Sequence, residues 1–219
     1  MGTIKIGVVL SGCGNKDGAE LHESVLTLWA IHKHGADYQC FAPDIPQHHV
    51  LNFITGVEMP ESRNVLLESA RIARGDILDL RKFQATALDA VIFPGGLGAV
   101  KNLSTYAFDG PDCQVNEEVA RVIREMAAHQ KPIGALCIAP VLVAKVLGDV
   151  EVTVGDDQAT ATALQRMGAR SKICAHGQIV IDRRRKVVTT PCYMLESRVD
   201  QIADGAENLV KAVLGLIGQ

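Results

Sequence analysis

The chain reads as an α/β protein, a mostly parallel sheet with helices on both faces, and three observations carry that reading. Short apolar runs alternate with segments of helical spacing, and several of those runs pass directly into glycine-rich turns. The 219 residues, 47% hydrophobic and 21% charged, are enough to bury one sizeable core. One domain spanning residues 1–219 is therefore expected. In such sheets the crossovers are right-handed and sites collect at the carboxyl ends of the strands.

Each element has its own justification. Ile4 to Leu10 is a buried-strand run, and Ala19 to His34 has helical spacing in Leu21, Val25, Leu28, Trp29 and Ile31. Tyr38 to Phe41 follows Gly35 as a second strand. Val50 to Arg74 reads as a small hairpin or irregular excursion, then a helix with Val65, Leu66, Ala70 and Ile72 on one face. Leu88 to Phe93 is a strand running into Pro94-Gly95-Gly96-Leu97-Gly98. A helix from about Val115 to Gln130 precedes the apolar run at Ile133. Beyond it come a strand near Val150 to Val154 and a short helix near Thr160 to Met167. A hairpin of Ile179-Val180-Ile181 and Val187-Val188-Thr189-Thr190 follows, and a closing helix runs from about Arg198 to Ile217.

Composition removes several function classes. A net charge of -3, a pI near 6.2 and 4% aromatics leave neither a basic surface nor stacking platforms for nucleic acid. The one basic cluster, Arg183-Arg184-Arg185-Lys186, falls between two strand runs and reads as a solvated hairpin tip. The six cysteines, at 13, 40, 113, 137, 174 and 192, lack the close pairs of a zinc site and the density of a disulfide scaffold. No metal is expected, and reduced thiols point to a cytosolic location. No basic n-region precedes an apolar h-region, so no signal peptide is expected. No apolar run approaches the ~20 residues needed to span a bilayer, so no membrane partner is expected either.

The chemistry is concentrated at Ile133-Gly134-Ala135-Leu136-Cys137-Ile138-Ala139-Pro140, which reads as strand, tight turn and helix with a thiol at the turn. A cysteine at a helix N-terminus feels the positive end of the helix dipole, which favours the thiolate, and the small Gly134 and Ala135 keep the approach narrow. Two other loops converge with this elbow if their strands are neighbours. Ser11-Gly12-Cys13-Gly14-Asn15-Lys16-Asp17-Gly18 carries a G-x-G-x-x-x-G spacing, and Asp44 lies where a ribose-binding acid would be. A glycine loop that simply lets backbone approach a neighbouring site explains the spacing better than a nicotinamide site. Pro94 to Gly98 can present backbone N–H groups to an oxyanion, with the Ile138 N–H as a second donor.

Glu20 and Glu23 occupy the first turns of the helix after the first loop, favourably for the helix dipole, and one of them can lean towards Cys137. A carboxyl beside a thiolate is pushed towards its protonated form and can donate to sulfur and relay a proton. Cys13 should overhang the elbow, as a small turn residue rather than a redox partner of Cys137. Cys192 can line the site rim. Lys101 and Asn102 either bind an anionic or carbonyl group or cap the adjoining helix. His176 precedes a glycine and reads as a solvated loop residue.

Four motifs in order resemble one family: Ser-Gly-Cys-Gly-x-x-Asp-Gly-x-Glu at Ser11 to Glu20, Pro-Gly-Gly-x-Gly-x-x-Lys-Asn-Leu-Ser at Pro94 to Ser104, Cys-Ile-Ala-Pro at Cys137 to Pro140, and Thr-Thr-Pro-x-Tyr-Met at Thr189 to Met194. Together they are similar to the ElbB family, the enhancing lycopene biosynthesis proteins, within the ThiJ/PfpI superfamily of class I glutamine amidotransferase-like folds. The likeness covers essentially the whole chain, with one departure: where many members of the superfamily place an assisting histidine after the next strand, Val152-Thr153-Val154-Gly155-Asp156-Asp157 carries Gly155, which speaks against an amidotransferase or protease triad. It implies a flavodoxin-like three-layer sandwich, a catalytic pair of Cys137 and Glu23, oxyanion donors at Gly96, Leu97 and Ile138, and a homodimer. The implied activity is a cofactor-independent glyoxalase acting on a small aldehyde through a cysteine hemithioacetal. A non-enzymatic oxidant sensor linked to isoprenoid metabolism is the alternative.

Overall fold

The computed structural model describes residues 2–219. In chain order the elements are β1 (Lys5–Val9), α1 (Leu21–Lys33), β2 (Asp37–Ala42), α2 (Val65–Ile72), β3 (Ile77–Asp79), β4 (Ala90–Phe93), α3 (Leu97–Lys101) and α4 (Tyr106–Asp109). They continue with α5 (Glu117–Ala128), β5 (Ile133–Leu136), α6 (Pro140–Leu147), β6 (Glu151–Val152), α7 (Gln158–Arg166), β7 (Arg170–Ser171), β8 (Val180–Asp182), β9 (Val187–Thr190) and α8 (Val199–Leu216).

The main sheet has the order β3-β2-β1-β4-β5-β9-β8, and every pair is parallel except β8 with β9. The chain steps outward from β1 to β3, returns to β4 beside β1, and then steps the other way. Right-handed crossovers therefore place α1 and α2 on one face and α5 and α6 on the other, and α8 returns to pack along α1. The reversal between β1 and β4 opens a crevice at the strands' carboxyl ends, so the loops after β1, β4 and β5 meet there. This is the expected α/β sandwich, with β4 and β5 buried at every position.

Local chemistry sets the helix ends. Glu20 caps α1 by accepting the Glu23 N–H at 2.7 Å, so Glu20 precedes the helix rather than lying in its first turn. Asn64, Asn116 and Asp157 cap α2, α5 and α7 in the same way. Along α1 the expected apolar spacing divides between two faces. Leu28 and Ile31 are buried, whereas Leu21, Val25 and Trp29 form an exposed stripe.

The strand expected near Val150 to Val154 shrinks to β6, which pairs with β7 in a separate two-stranded sheet. Its edge is taken by side chains: Asp182 accepts the Glu151 N–H at 2.9 Å and Thr189 Oγ1 accepts the Thr153 N–H at 2.9 Å. The excursion after β2 is the small hairpin expected, held by antiparallel bridges at Pro46–Asn64 and Leu51–Glu58. At the basic hairpin tip, Arg184 pairs with Asp149 at 2.7 Å. Gly134 serves packing rather than substrate approach. A Cβ there would lie 2.9 Å from Leu209 and 3.0 Å from Ile92, so glycine lets α8 close on β5.

Candidate active site

Cys137 sits at the end of β5 with φ of +57°, a left-handed conformation that a side chain adopts only when its surroundings hold it there. Its N–H donates to Thr190 O at 3.0 Å, anchoring the turn to β9. The neighbouring loop is packed onto it: a Cβ on Gly95 would lie 2.5 Å from Cys137 Cβ and 2.7 Å from Glu23 Oε2. Only glycine fits between the thiol and the carboxyl.

Glu23 comes from the first turn of α1 and is fully buried, with its carboxyl facing the Cys137 sulfur. One carboxyl oxygen accepts the Gly95 N–H at 2.9 Å and the other accepts the Tyr193 N–H at 3.4 Å. Burial and, after it, the Glu20 carboxylate push Glu23 up to about 8, against those two N–H groups. Glu23 therefore holds a proton near neutrality and can release it.

Burial also raises the Cys137 thiol well above its ordinary range, with the Glu23 carboxylate as the second cause. The N–H groups of Gly96 and Ile138 face the sulfur and oppose the shift without reversing it. This corrects the expectation that the helix dipole makes a resting thiolate. Helix α6 begins only at Pro140, and desolvation outweighs a dipole whose reach is about one turn. The resting site is a neutral thiol beside a proton-holding carboxyl.

The oxyanion loop divides its donors. The Gly95 N–H serves Glu23, the Leu97 N–H donates to Asn15 O at 2.8 Å, and the Gly98 N–H donates to Gly18 O at 2.8 Å. Leu97 is thus excluded as a backbone donor because its amide is already committed, while Gly96 and Ile138 remain directed at the site. Leu97 lines the cavity with its side chain instead.

That cavity, about 280 Å³, opens over Cys137 between the Gly96–Leu97 turn, Ile138, Glu20, Asn15 and the pair Tyr193 and Met194. Other expected rim residues lie elsewhere. Cys13 lines a separate groove between α1 and α2 with Arg71 and Ile72, because its loop folds back on itself through the Gly14 N–H to Ala19 O bond of 2.8 Å. Asn102 is a staple: its amide donates to Ser11 O and Asp17 O and its oxygen accepts the His48 N–H, each at 2.9 Å. Lys101 Nζ donates to Lys16 O at 3.1 Å and lies 3.2 Å from His49 Nε2. Cys192 is buried beside Glu23 and Cys137, behind the cavity rather than on its rim.

Sequence reasoning passed over Asn15, Tyr193 and Met194, although the Tyr-Met pair closes a motif that ends β9, the strand beside the elbow strand. The missing histidine is structural: Gly155 has φ of +69°, and a Cβ there would meet Leu195 at 2.8 Å. His176 is exposed, its Nδ1 2.9 Å from Ser197 Oγ. Among the described residues no group of three or more His, Cys, Asp or Glu is arranged to hold a metal ion.

No family model matches the chain. It is 49% identical over 225 residues to the human glutamine amidotransferase-like class 1 domain-containing protein 3, mitochondrial, an alignment covering 98% of this chain and 84% of that one. An isoprenoid biosynthesis protein with amidotransferase-like domain from Ehrlichia chaffeensis superposes with a TM-score of 0.90 at 31% identity, over 97% of this chain and 99% of that one. A ThiJ/PfpI domain protein from Brachyspira murdochii, 18% identical with a TM-score of 0.60 over 98% and 99% of the two chains, shares the fold. The human relative's mitochondrial designation overturns the expected cytosolic location. Free thiols report a reducing compartment, not which one it is.

Proposed function

This chain belongs to the glutamine amidotransferase-like class 1 domain family, and from that membership we propose that it is a cofactor-independent glyoxalase of the ElbB type, converting glyoxal or a related small 2-oxoaldehyde to the hydroxy acid. The observation that carries the reading is the buried Glu23 carboxyl facing the Cys137 sulfur beneath a small cavity that, among the described residues, has no histidine in its lining.

The chemistry balances without a cofactor. With Glu23 ionised, Cys137 sulfur adds to one aldehyde carbon while its proton passes through the Glu23 carboxylate to the aldehyde oxygen, giving a hemithioacetal and leaving the carboxylate free to accept again. Glu23 then takes the C–H proton from that carbon and returns it to the neighbouring one, so that one carbon is oxidised and the other reduced. The product is a thioester, whose C–S bond water breaks to release glycolate and regenerate the thiol. Gly96 and Ile138 N–H groups hold the oxyanion. Glu23, poised at about 8, suits a group that must both take and give a proton.

Burial of Cys137 speaks against the oxidant sensor, since a thiol held neutral reacts slowly with peroxide. A homodimer is part of the proposal, supported by the exposed Leu21, Val25 and Trp29 stripe. The test is glycolate formation from glyoxal by purified protein, with turnover lost in Cys137→Ser and strongly reduced in Glu23→Gln. A wild-type protein that makes no glycolate above the buffer rate overturns the reading.

A further inference from the structure

The first turn of α1 delivers two consecutive residues to the site in opposite directions. Glu23 points inward to the sulfur, and His22 stays at the surface with Nδ1 2.7 Å from the Tyr193 hydroxyl. Tyr193 is therefore gripped twice by α1, at its backbone N–H by Glu23 and at its hydroxyl by His22. The residue before it, Cys192, has φ of +43°, a conformation that sets the direction in which Tyr193 leaves the sheet. Tyr193 is one of the residues lining the cavity over Cys137, and its hydroxyl lies against His22, which is outside that lining.

We propose that Tyr193 is a second catalytic acid of this site and that His22 is its positioning and proton-exchanging partner, together supplying what the absent histidine at Gly155 does not. The proposal rests on the glyoxalase reading and assigns the oxygen half of the isomerisation. Converting hemithioacetal to thioester moves one hydrogen between carbons and one between oxygens. Glu23 carries the first. For the second, the Tyr193 O–H protonates the carbonyl oxygen of the distal carbon as the enediol forms. When the enediol collapses to the thioester, the hydroxyl on the sulfur-bearing carbon gives up its proton, and the Tyr193 phenolate recovers it directly or through His22. No oxidant, reductant or net proton is consumed. The arrangement predicts selectivity for aldehydes with an oxygen on the adjacent carbon, because a simple aldehyde offers nothing for Tyr193 to protonate.

The experiment compares glyoxal turnover by wild type, Tyr193→Phe, His22→Ala and the double variant. Tyr193→Phe is expected to lower kcat about 100-fold with KM and the rate of Cys137 alkylation by iodoacetamide within about twofold. His22→Ala lowers kcat about 10-fold, and adding it to Tyr193→Phe costs nothing more, because His22 acts only through the phenol. Unchanged kcat in Tyr193→Phe, or losses from the two changes that simply multiply, overturns the pair while leaving the glyoxalase reading intact. Absence of glycolate from wild type overturns both.

Discussion

Cys13 and Cys137 occupy equivalent kinds of turn, each in a glycine-flanked or glycine-approached loop at the carboxyl end of a parallel strand, with β4 between their strands. Burial raises both thiols. They differ in the acid that faces them. Next to Cys13, Glu68 is ion-paired with Arg71 at 2.8 Å and Arg63 at 3.5 Å. Next to Cys137, Glu23 meets the Gly95 and Tyr193 N–H groups and the thiol itself rather than a cation, and keeps a transferable proton. The Cys13 groove is also the larger, about 510 Å³ against about 280 Å³. Neither glycine content nor cavity size marks the reactive cysteine. What marks it is a buried carboxyl with no cation, placed there by a different element of the fold.

The largest expected effect tests that contrast directly. Cys137→Ser should reduce glycolate formation at least about 1000-fold while Cys13→Ser stays within about twofold. Comparable losses at both cysteines would dissolve the distinction.

Glu23→Gln comes next, with an expected fall of about 100-fold in kcat and a signature in stability. The folded carboxyl titrates at about 8 rather than at its ordinary 4.5, so the native state binds this proton more tightly than the unfolded chain. Its contribution is fully present below pH 4.5 and is lost as pH rises towards 8. Wild-type thermal stability should therefore decline across that window, and the Gln variant should decline less. A steeper slope in the variant would reverse the assignment. Wild-type kcat/KM should rise with pH through the same region, as Glu23 becomes available to accept the thiol proton.

Gly95→Ala sharpens the comparison from the packing side. Its methyl would push between Cys137 and Glu23, and we expect about a 10-fold loss of turnover with about 1–3 kcal/mol of destabilisation, read by denaturant melts. The smallest catalytic effect belongs to Asn102→Ala, which frees two buried carbonyls, Ser11 O and Asp17 O, and the half-buried His48 N–H around the Cys13 loop. It should cost about 2 kcal/mol of stability and leave kcat nearly unchanged. A large kcat loss there would mean that the two loops are coupled.

Much of this molecule is legible in its sequence. Apolar runs at Ile4 to Leu10, Leu88 to Phe93 and Ile133 to Leu136 form β1, β4 and β5, because strands covered on both faces must be continuously apolar. The Cys137 elbow and the convergence of three loops follow from strand–turn–helix syntax and the sheet's handedness. The small elements are not legible. β3 at Ile77–Asp79 exists only because β2 offers it an edge, and β6 loses its place in the main sheet to the side chains of Asp182 and Thr189.

Sequence by itself determined the class of fold, the cysteine elbow and the glycines that admit close backbone approach, since periodicity and turn chemistry are written into neighbouring residues. It also placed Glu23 near a helix start, where acids are common for reasons unrelated to catalysis. Only the tertiary structure decided that Glu23 faces Cys137 while Cys13 faces an ion pair, and that Leu97 spends its amide on Asn15. It alone decided that Tyr193 joins His22 across 171 residues. Those relations depend on strand order and on desolvation, properties of the packed chain as a whole. For the same reason the thiol expected to ionise on local grounds is held neutral in the folded molecule.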